Sequence, residues 1–224
     1  MQCTPQSFLE LWRVVAARFI TFEGGEGAGK TTQIELLADA LEKAGQTTLA
    51  TREPGGSPAA ERIRELLFSA PFNGDPLSEC LLFNAARRDH LVTTIWPALE
   101  AGKWVLADRF ADSTLAYQGY GKDLDRAWIQ SLYQKVAGDF VPDLTILLDL
   151  PAETGLKRTA MRAVGNNRYE EMDLAFHARL REGFLAIAEA APERIAVVDG
   201  TMTIEAIQDE IQALVANMLG VRFP

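Results

Sequence analysis

Phe19-Ile20-Thr21-Phe22-Glu23-Gly24-Gly25-Glu26-Gly27-Ala28-Gly29-Lys30-Thr31-Thr32 is the stretch on which the reading of this chain turns. Its first four residues favour an extended strand, and a glycine-rich turn follows. After Lys30 the apolar positions change to helical spacing, with Ile34, Leu37, Ala38 and Leu41 on one face and Gly45 placed to end the helix. Between strand and helix, Gly24 to Thr31 spell Gly-x-x-x-x-Gly-Lys-Thr. Gly24, Gly25, Gly27 and Gly29 let the backbone curl with its N–H groups facing inward around phosphate, while the helix N-terminus adds a positive dipole. Lys30 is expected on the outer phosphates and the Thr31 hydroxyl on Mg²⁺. The motif in this context predicts a nucleoside-triphosphate site.

Outward from the motif, strands are expected at Thr47–Ala50, Trp104–Ala107, Leu144–Leu148 and Ile195–Val198. Ser57-Pro58 reads as a helix start with Ser57 as cap, and Asp75-Pro76 opens a helix that runs towards Leu99 and stops at Gly102. The strands are apolar on both faces and alternate with helices. The predicted fold is therefore α/β: a single domain with a parallel sheet of about five strands, covered by helices on both sides. Ligands in such sheets sit beyond the carboxyl ends of the strands, where Glu23, Arg52, Asp108, Asp149 and Asp199 fall.

Composition narrows the class. The 224 residues are 48% hydrophobic and 24% charged, with a net charge of −9. That describes a globular chain and disfavours tracking along a nucleic-acid backbone or an anionic membrane. Positive charge is spent on 16 Arg and 6 Lys, a bias suited to small phosphorylated anions. Cys3 and Cys80 are too few for a disulfide framework, and His90 and His177 too isolated for a metal site. No apolar run is long enough to span a membrane, and residues 1–17 lack the layout of a signal peptide. A cytoplasmic enzyme or switch is expected.

A second motif separates these. No Asn-Lys-x-Asp guanine reader is present, which weighs against a GTPase switch. The apolar strand that would end Asp-Glu in a motor ATPase ends Asp108-Arg109. An Arg beside the metal-side acid suits an enzyme whose second substrate is itself a phosphate, although a surface ion pair has the same sequence.

Three further segments accompany the glycine-rich loop: Thr51-Arg52-Glu53-Pro54-Gly55-Gly56, Leu82-Phe83-Asn84-Ala85-Ala86-Arg87-Arg88-Asp89, and Asp108-Arg109-Phe110 through Ser113-Thr114-Leu115-Ala116-Tyr117-Gln118-Gly119. Together they closely resemble thymidylate kinases of the bacterial type, from about Arg18 to the C-terminus. The resemblance implies ATP-dependent phosphorylation of dTMP to dTDP with Mg²⁺, on the way to dTTP, by a homodimer. Residues 18–224 then form one P-loop domain with a lid at about 155–170, and residues 1–17 are an extension without an assigned role.

Carried onto this chain, the resemblance places Gly24 to Thr32, including Ala28, and Arg158 on ATP, with Thr31 and Asp108 on the metal. Phe83 would stack on thymine, with Leu81 and Leu82 beside it in the core. Arg87, Thr114 and Gln118 would face the acceptor, Arg52 and Arg109 would hold its phosphate, and Tyr117 would pack by the deoxyribose with Glu26 near the 3′-hydroxyl. Catalysis would rest on Lys30, Asp108, Arg109 and a lid cation, Arg162 or Arg168. The lid helix is expected to break at Gly165 and resume after Arg168, where Asn167 replaces the Asp usual in relatives. A kinase for another nucleotide or nucleoside, or a non-catalytic nucleotide switch, are the alternatives.

Overall fold

The backbone builds its sheet by laying two strands on either side of the first. In a computed structural model, residues 17–68, 74–161 and 168–224 are described. Strand β1 (Phe19–Glu23) leads through the glycine loop into α1 (Lys30–Lys43), and β2 (Thr48–Arg52) leads into α2 (Pro58–Phe68). Helices α3 (Pro76–His90) and α4 (Trp96–Glu100) precede β3 (Trp104–Asp108). A short α5 (Ala111–Thr114) and α6 (Arg126–Ala137) lead to β4 (Leu144–Asp149). The chain then forms α7 (Ala152–Ala160), α8 (Leu174–Ala190), β5 (Ile195–Asp199) and α9 (Ile204–Leu219).

The sheet order is β2-β3-β1-β4-β5, parallel throughout. Ile34, Leu37 and Leu41 of α1 pack one face together with Ile207, Ile211 and Val215 of α9. Phe176, Leu180, Phe184 and Ile187 of α8 pack on Leu147 and Ile195, while Leu91, Ile95 and Phe110 cover Phe19 and Val105. The expected five strands and two-sided cover are present. Burial on both faces holds for β1, β3 and β4, but the edge strands β2 and β5 are partly exposed, as edges must be.

Local chemistry explains where elements begin and end. The Asp75 carboxylate accepts the N–H groups of Leu77 and Ser78, and Pro76 loses nothing in the first turn, where its missing N–H has no intrahelical acceptor. Ser57 precedes α2 as expected, yet its hydroxyl donates to Asp89 at 2.6 Å and ties α2 to α3. The long helix reaches Glu100 and ends before Gly102, but it widens into a π turn at Leu91–Ile95. Pro97 lacks an N–H, and its ring would collide with the carbonyl one turn back in a regular α-helix; the wide turn makes room. Leu81 is 46% exposed and Leu82 half-buried, so neither belongs to the core as expected. The inward face of α3 carries Cys80, Asn84, Arg87 and His90 instead.

Candidate active site

Strand register sets the floor of the site. Arg52 lies beside Asp108, Asp108 beside Phe22, and Asp149 beside Asp199, so all five predicted strand-end residues close their strands at one edge of the sheet. The glycine loop leaves β1 there. Gly24 has φ +132°, and a Cβ on it would stand 2.4 Å from the Leu148 carbonyl oxygen. Gly27, at φ +69°, rests on the Gly155 backbone of α7, where a Cβ would meet the carbonyl oxygen at 2.3 Å. Only glycine fits either place.

Cations line this loop. The Lys30 ammonium donates to the carbonyls of Gly24 and Gly25 at 3.2 and 3.0 Å. Burial, and then the neighbouring Arg109, lower its pKa to about 8. Arg109 has φ +69°, a strained value for a side-chain-bearing residue, and the turn aims its guanidinium back over the loop. One Arg109 nitrogen, Nη1, donates to Gly24 O at 2.9 Å and Ser113 Oγ at 3.2 Å; Nη2 donates to Glu26 Oε1 at 3.1 Å. Tyr117 donates its hydroxyl to the same Glu26 oxygen at 2.6 Å, and its ring lies under the Arg109 guanidinium. Burial would raise the Glu26 pKa, but Arg109 and Lys30 outweigh it and hold the carboxyl below its usual range. The Thr31 hydroxyl donates to Asp108 at 2.8 Å, bringing together the two oxygens expected at the metal.

The residues expected on the acceptor side come from α3 and the segment after β3. Arg87 is 3% exposed and donates to Glu53 at 2.8 Å, Asn84 at 3.3 Å, Phe110 O at 3.0 Å and Thr114 Oγ1 at 2.9 Å. Gln118 is buried, and Phe83 is half-buried against the aromatic cluster of Tyr117, Tyr169 and Phe176. A cavity of about 890 Å³ is lined by Glu26 to Thr32, Arg52, Asp108 and Arg109, and also by Phe83, Arg87, Thr114, Tyr117 and Gln118. The structure thus brings both halves of the predicted site to one space.

A model of the family described as thymidylate kinase matches residues 22–211. The chain belongs to the thymidylate kinase family. It is 52% identical over 204 residues to the thymidylate kinase of Caulobacter vibrioides, covering 91% of this chain and 98% of that protein. With the thymidylate kinase of Thermomicrobium roseum it shares 50% identity over 201 residues, 90% of this chain and 95% of the other. The crystal structure of thymidylate kinase from Ehrlichia chaffeensis aligns with a TM-score of 0.73 at 38% identity, covering 89% of this chain and 98% of that one.

Within this thymidylate kinase fold, three expected residues stand apart from the glycine loop. Arg52 is half-exposed and paired with Glu61 at 3.1 Å, although it lines the cavity. Arg158 donates to Gly200 O at 3.1 Å, beside the Asp199–Thr201 turn that the Asp199 carboxylate closes by accepting from Thr201. Arg168 is bound to the buried carboxylate of Glu79 on α3. Arg162 and Gly165 lie outside the described residues, and the chain after Arg168 forms turns before α8 begins at Leu174, so no helix resumes where expected.

Sequence reasoning passed over Glu53, Glu79 and Tyr169. Glu53 receives Arg87 at 2.8 Å and His90 Nδ1 at 3.1 Å, which fixes the Arg87 guanidinium in place. Glu79 stands four residues before Phe83 and eight before Arg87, so helical spacing alone would have placed it on their side of α3.

Proposed function

We propose that this protein transfers the γ-phosphoryl group of ATP to the phosphate of dTMP, giving dTDP and ADP. The observation that carries the reading is the single cavity shared by the glycine loop and the aromatic, arginine-rich acceptor wall. A switch needs only the first.

The attacking oxygen belongs to a phosphate monoester with a second pKa of about 6, so it is already ionised at neutral pH. No side chain has to take its proton. The work left to the protein is to hold two anions in line and neutralise charge as the phosphoryl group moves. Lys30 serves the donor phosphates. Arg109, oriented by Glu26, Ser113 and Gly24, serves the acceptor phosphate, with Arg52 at the rim. Glu26 and Tyr117, hydrogen-bonded to each other, form the wall assigned to the sugar, and Phe83 the wall assigned to the base. The Thr31 hydroxyl and Asp108 carboxylate are hard oxygen ligands side by side, a set that fits Mg²⁺ with the remaining positions left to phosphate and water. When bound, Mg²⁺ would offset negative charge on the donor phosphates. Arg162 and Arg168 remain the candidates for the cation on the transferring group; Arg168 would have to leave Glu79 to act there. A homodimer, implied by the resemblance, and a cytoplasmic location, expected from composition, complete the proposal.

Coupled ADP detection with dTMP, dUMP, AMP, CMP, GMP and thymidine tests the reading. Turnover is expected to be fastest with dTMP and to be lost in Lys30→Ala and Arg109→Ala proteins that still fold. Preference for another acceptor, or hydrolysis indifferent to dTMP, would overturn it. Sedimentation equilibrium tests the dimer.

A further inference from the structure

Behind the base wall, four donors converge on one carboxylate. Glu79 is fully buried on the inner side of α3. Gln118 Nε2 donates to its Oε2 at 2.7 Å, and the Lys122 ammonium reaches both oxygens at 2.9 Å. The Arg168 guanidinium and the Tyr169 hydroxyl complete the set. The second amide hydrogen of Gln118 goes to the Tyr169 hydroxyl oxygen at 3.0 Å.

This arrangement has a polarity. A carboxylate only accepts, so the Gln118 amide cannot be turned over; its nitrogen must face Glu79. With both N–H groups committed, Gln118 can offer the cavity it lines only its carbonyl oxygen. Thr114 is constrained in the opposite sense. Its oxygen accepts from Arg87 at 2.9 Å, which leaves the hydroxyl proton free to be donated, and Arg87 itself has one N–H beyond its four protein contacts.

We infer that Glu79 is a positioning residue that sets the hydrogen-bond polarity of base reading: by holding the Gln118 amide nitrogen it makes Gln118 an obligatory acceptor, opposite the donors Thr114 and Arg87. A pyrimidine with a protonated ring nitrogen flanked by carbonyl oxygens, as in thymine, complements this set. A pyrimidine with an exocyclic amino group and an unprotonated ring nitrogen, as in cytosine, sets donor against donor and acceptor against acceptor. The inference rests on the proposed dTMP reading and deepens it.

The test compares the wild type with Glu79→Gln by steady-state kinetics with dTMP, using dCMP as competitor. A glutamine at this position can donate as well as accept, so Gln118 is released to turn. The expected result is a dTMP KM raised about tenfold, the scale of one lost hydrogen bond in a buried site. KM for ATP should stay within about twofold, and the ratio of the dCMP inhibition constant to the dTMP KM should fall by at least fivefold. An unchanged ratio in the folded variant, or equal increases in both KM values, overturns the inference. If Glu79→Gln does not fold, Glu79→Asp decides, because it keeps the negative charge facing Lys122 and Arg168 but draws the acceptor oxygen away from Gln118 Nε2. A lower ratio supports the inference and an unchanged one overturns it. Failure of the wild type to use dTMP would instead overturn the proposed function.

Discussion

Replacing Glu23 with Gln should make the protein more stable at alkaline pH. Glu23 closes β1 in full burial, where it accepts the N–H groups of Phe110 at 2.8 Å and Ser113 at 3.2 Å and the Ser113 hydroxyl at 2.5 Å. Those donors and Arg109 favour the carboxylate, but burial and the nearby Asp112 outweigh them and raise its pKa from 4.5 to about 7. The folded state therefore binds a proton that the unfolded chain has already released between those two values, and stability falls as pH rises through that window. The loss is complete above pH 7 and absent below pH 4.5. Its full size is on the order of 3 kcal/mol, or roughly 10 °C in Tm for a chain of this length. An amide at the same place can accept from Phe110 and Ser113 and donate to Ser113 Oγ, without a charge to desolvate. Urea unfolding of both proteins from pH 5 to pH 8.5 measures the effect. The stability of Glu23→Gln relative to wild type should climb with pH and level off near pH 8. A flat difference would show that Glu23 titrates as an ordinary carboxyl, and a difference falling with pH would refute the sign.

Thr31→Val should raise the Mg²⁺ concentration needed for half-maximal turnover several-fold while leaving thermal stability within about 1 kcal/mol, because the hydroxyl makes one exposed contact with Asp108; a Mg²⁺ titration of the rate checks this. Arg87→Ala should cost about 3 to 5 kcal/mol by stranding the buried Glu53 carboxylate, and should weaken dTMP binding in whatever fraction stays folded, as read by urea melts and KM. Gly24→Ala should abolish nucleotide binding, since its Cβ cannot occupy a point 2.4 Å from the Leu148 carbonyl oxygen without moving the loop; unchanged ADP affinity by calorimetry would contradict that. Lys30, with its pKa lowered to about 8, should take up a proton when an anion arrives, so ADP binding at pH 8.5 should show proton uptake across buffers of different ionisation enthalpy, and Lys30→Arg should remove it.

What could be read from the chain was local. The glycine loop, Lys30, Thr31 and the acids and arginine at strand ends are specified by spacing within a few residues, and the structure brings them to one edge of one sheet. The acceptor wall depends on contacts across the chain: Arg87 on Glu53, Gln118 on Glu79, Arg109 on Glu26. Family resemblance named one partner in the first two pairs, but residue type alone could not name Glu53 or Glu79. The apolar Leu81-Leu82-Phe83 run was misleading for a related reason. Helix geometry turns successive residues by about 100°, so one run cannot all face inward. On α3 the inward places belong to Asn84 and Arg87, whose polarity is met by Cys80 O, Glu53 and Thr114. The π turn escaped notice because Pro97 also fits the first turn of a new helix.

The Gly24 carbonyl oxygen receives both the Lys30 ammonium and an Arg109 nitrogen. Two full positive charges thus share one neutral acceptor, and in the proposed function one serves the donor side and the other the acceptor side. Each substrate anion that enters weakens the field from which the second must draw. Electrostatics alone therefore makes the two binding steps antagonistic, and linkage requires the penalty to be mutual: whatever factor ATP takes from dTMP affinity, dTMP takes from ATP. Any cooperation between the substrates has to come from elsewhere and first overcome this opposition.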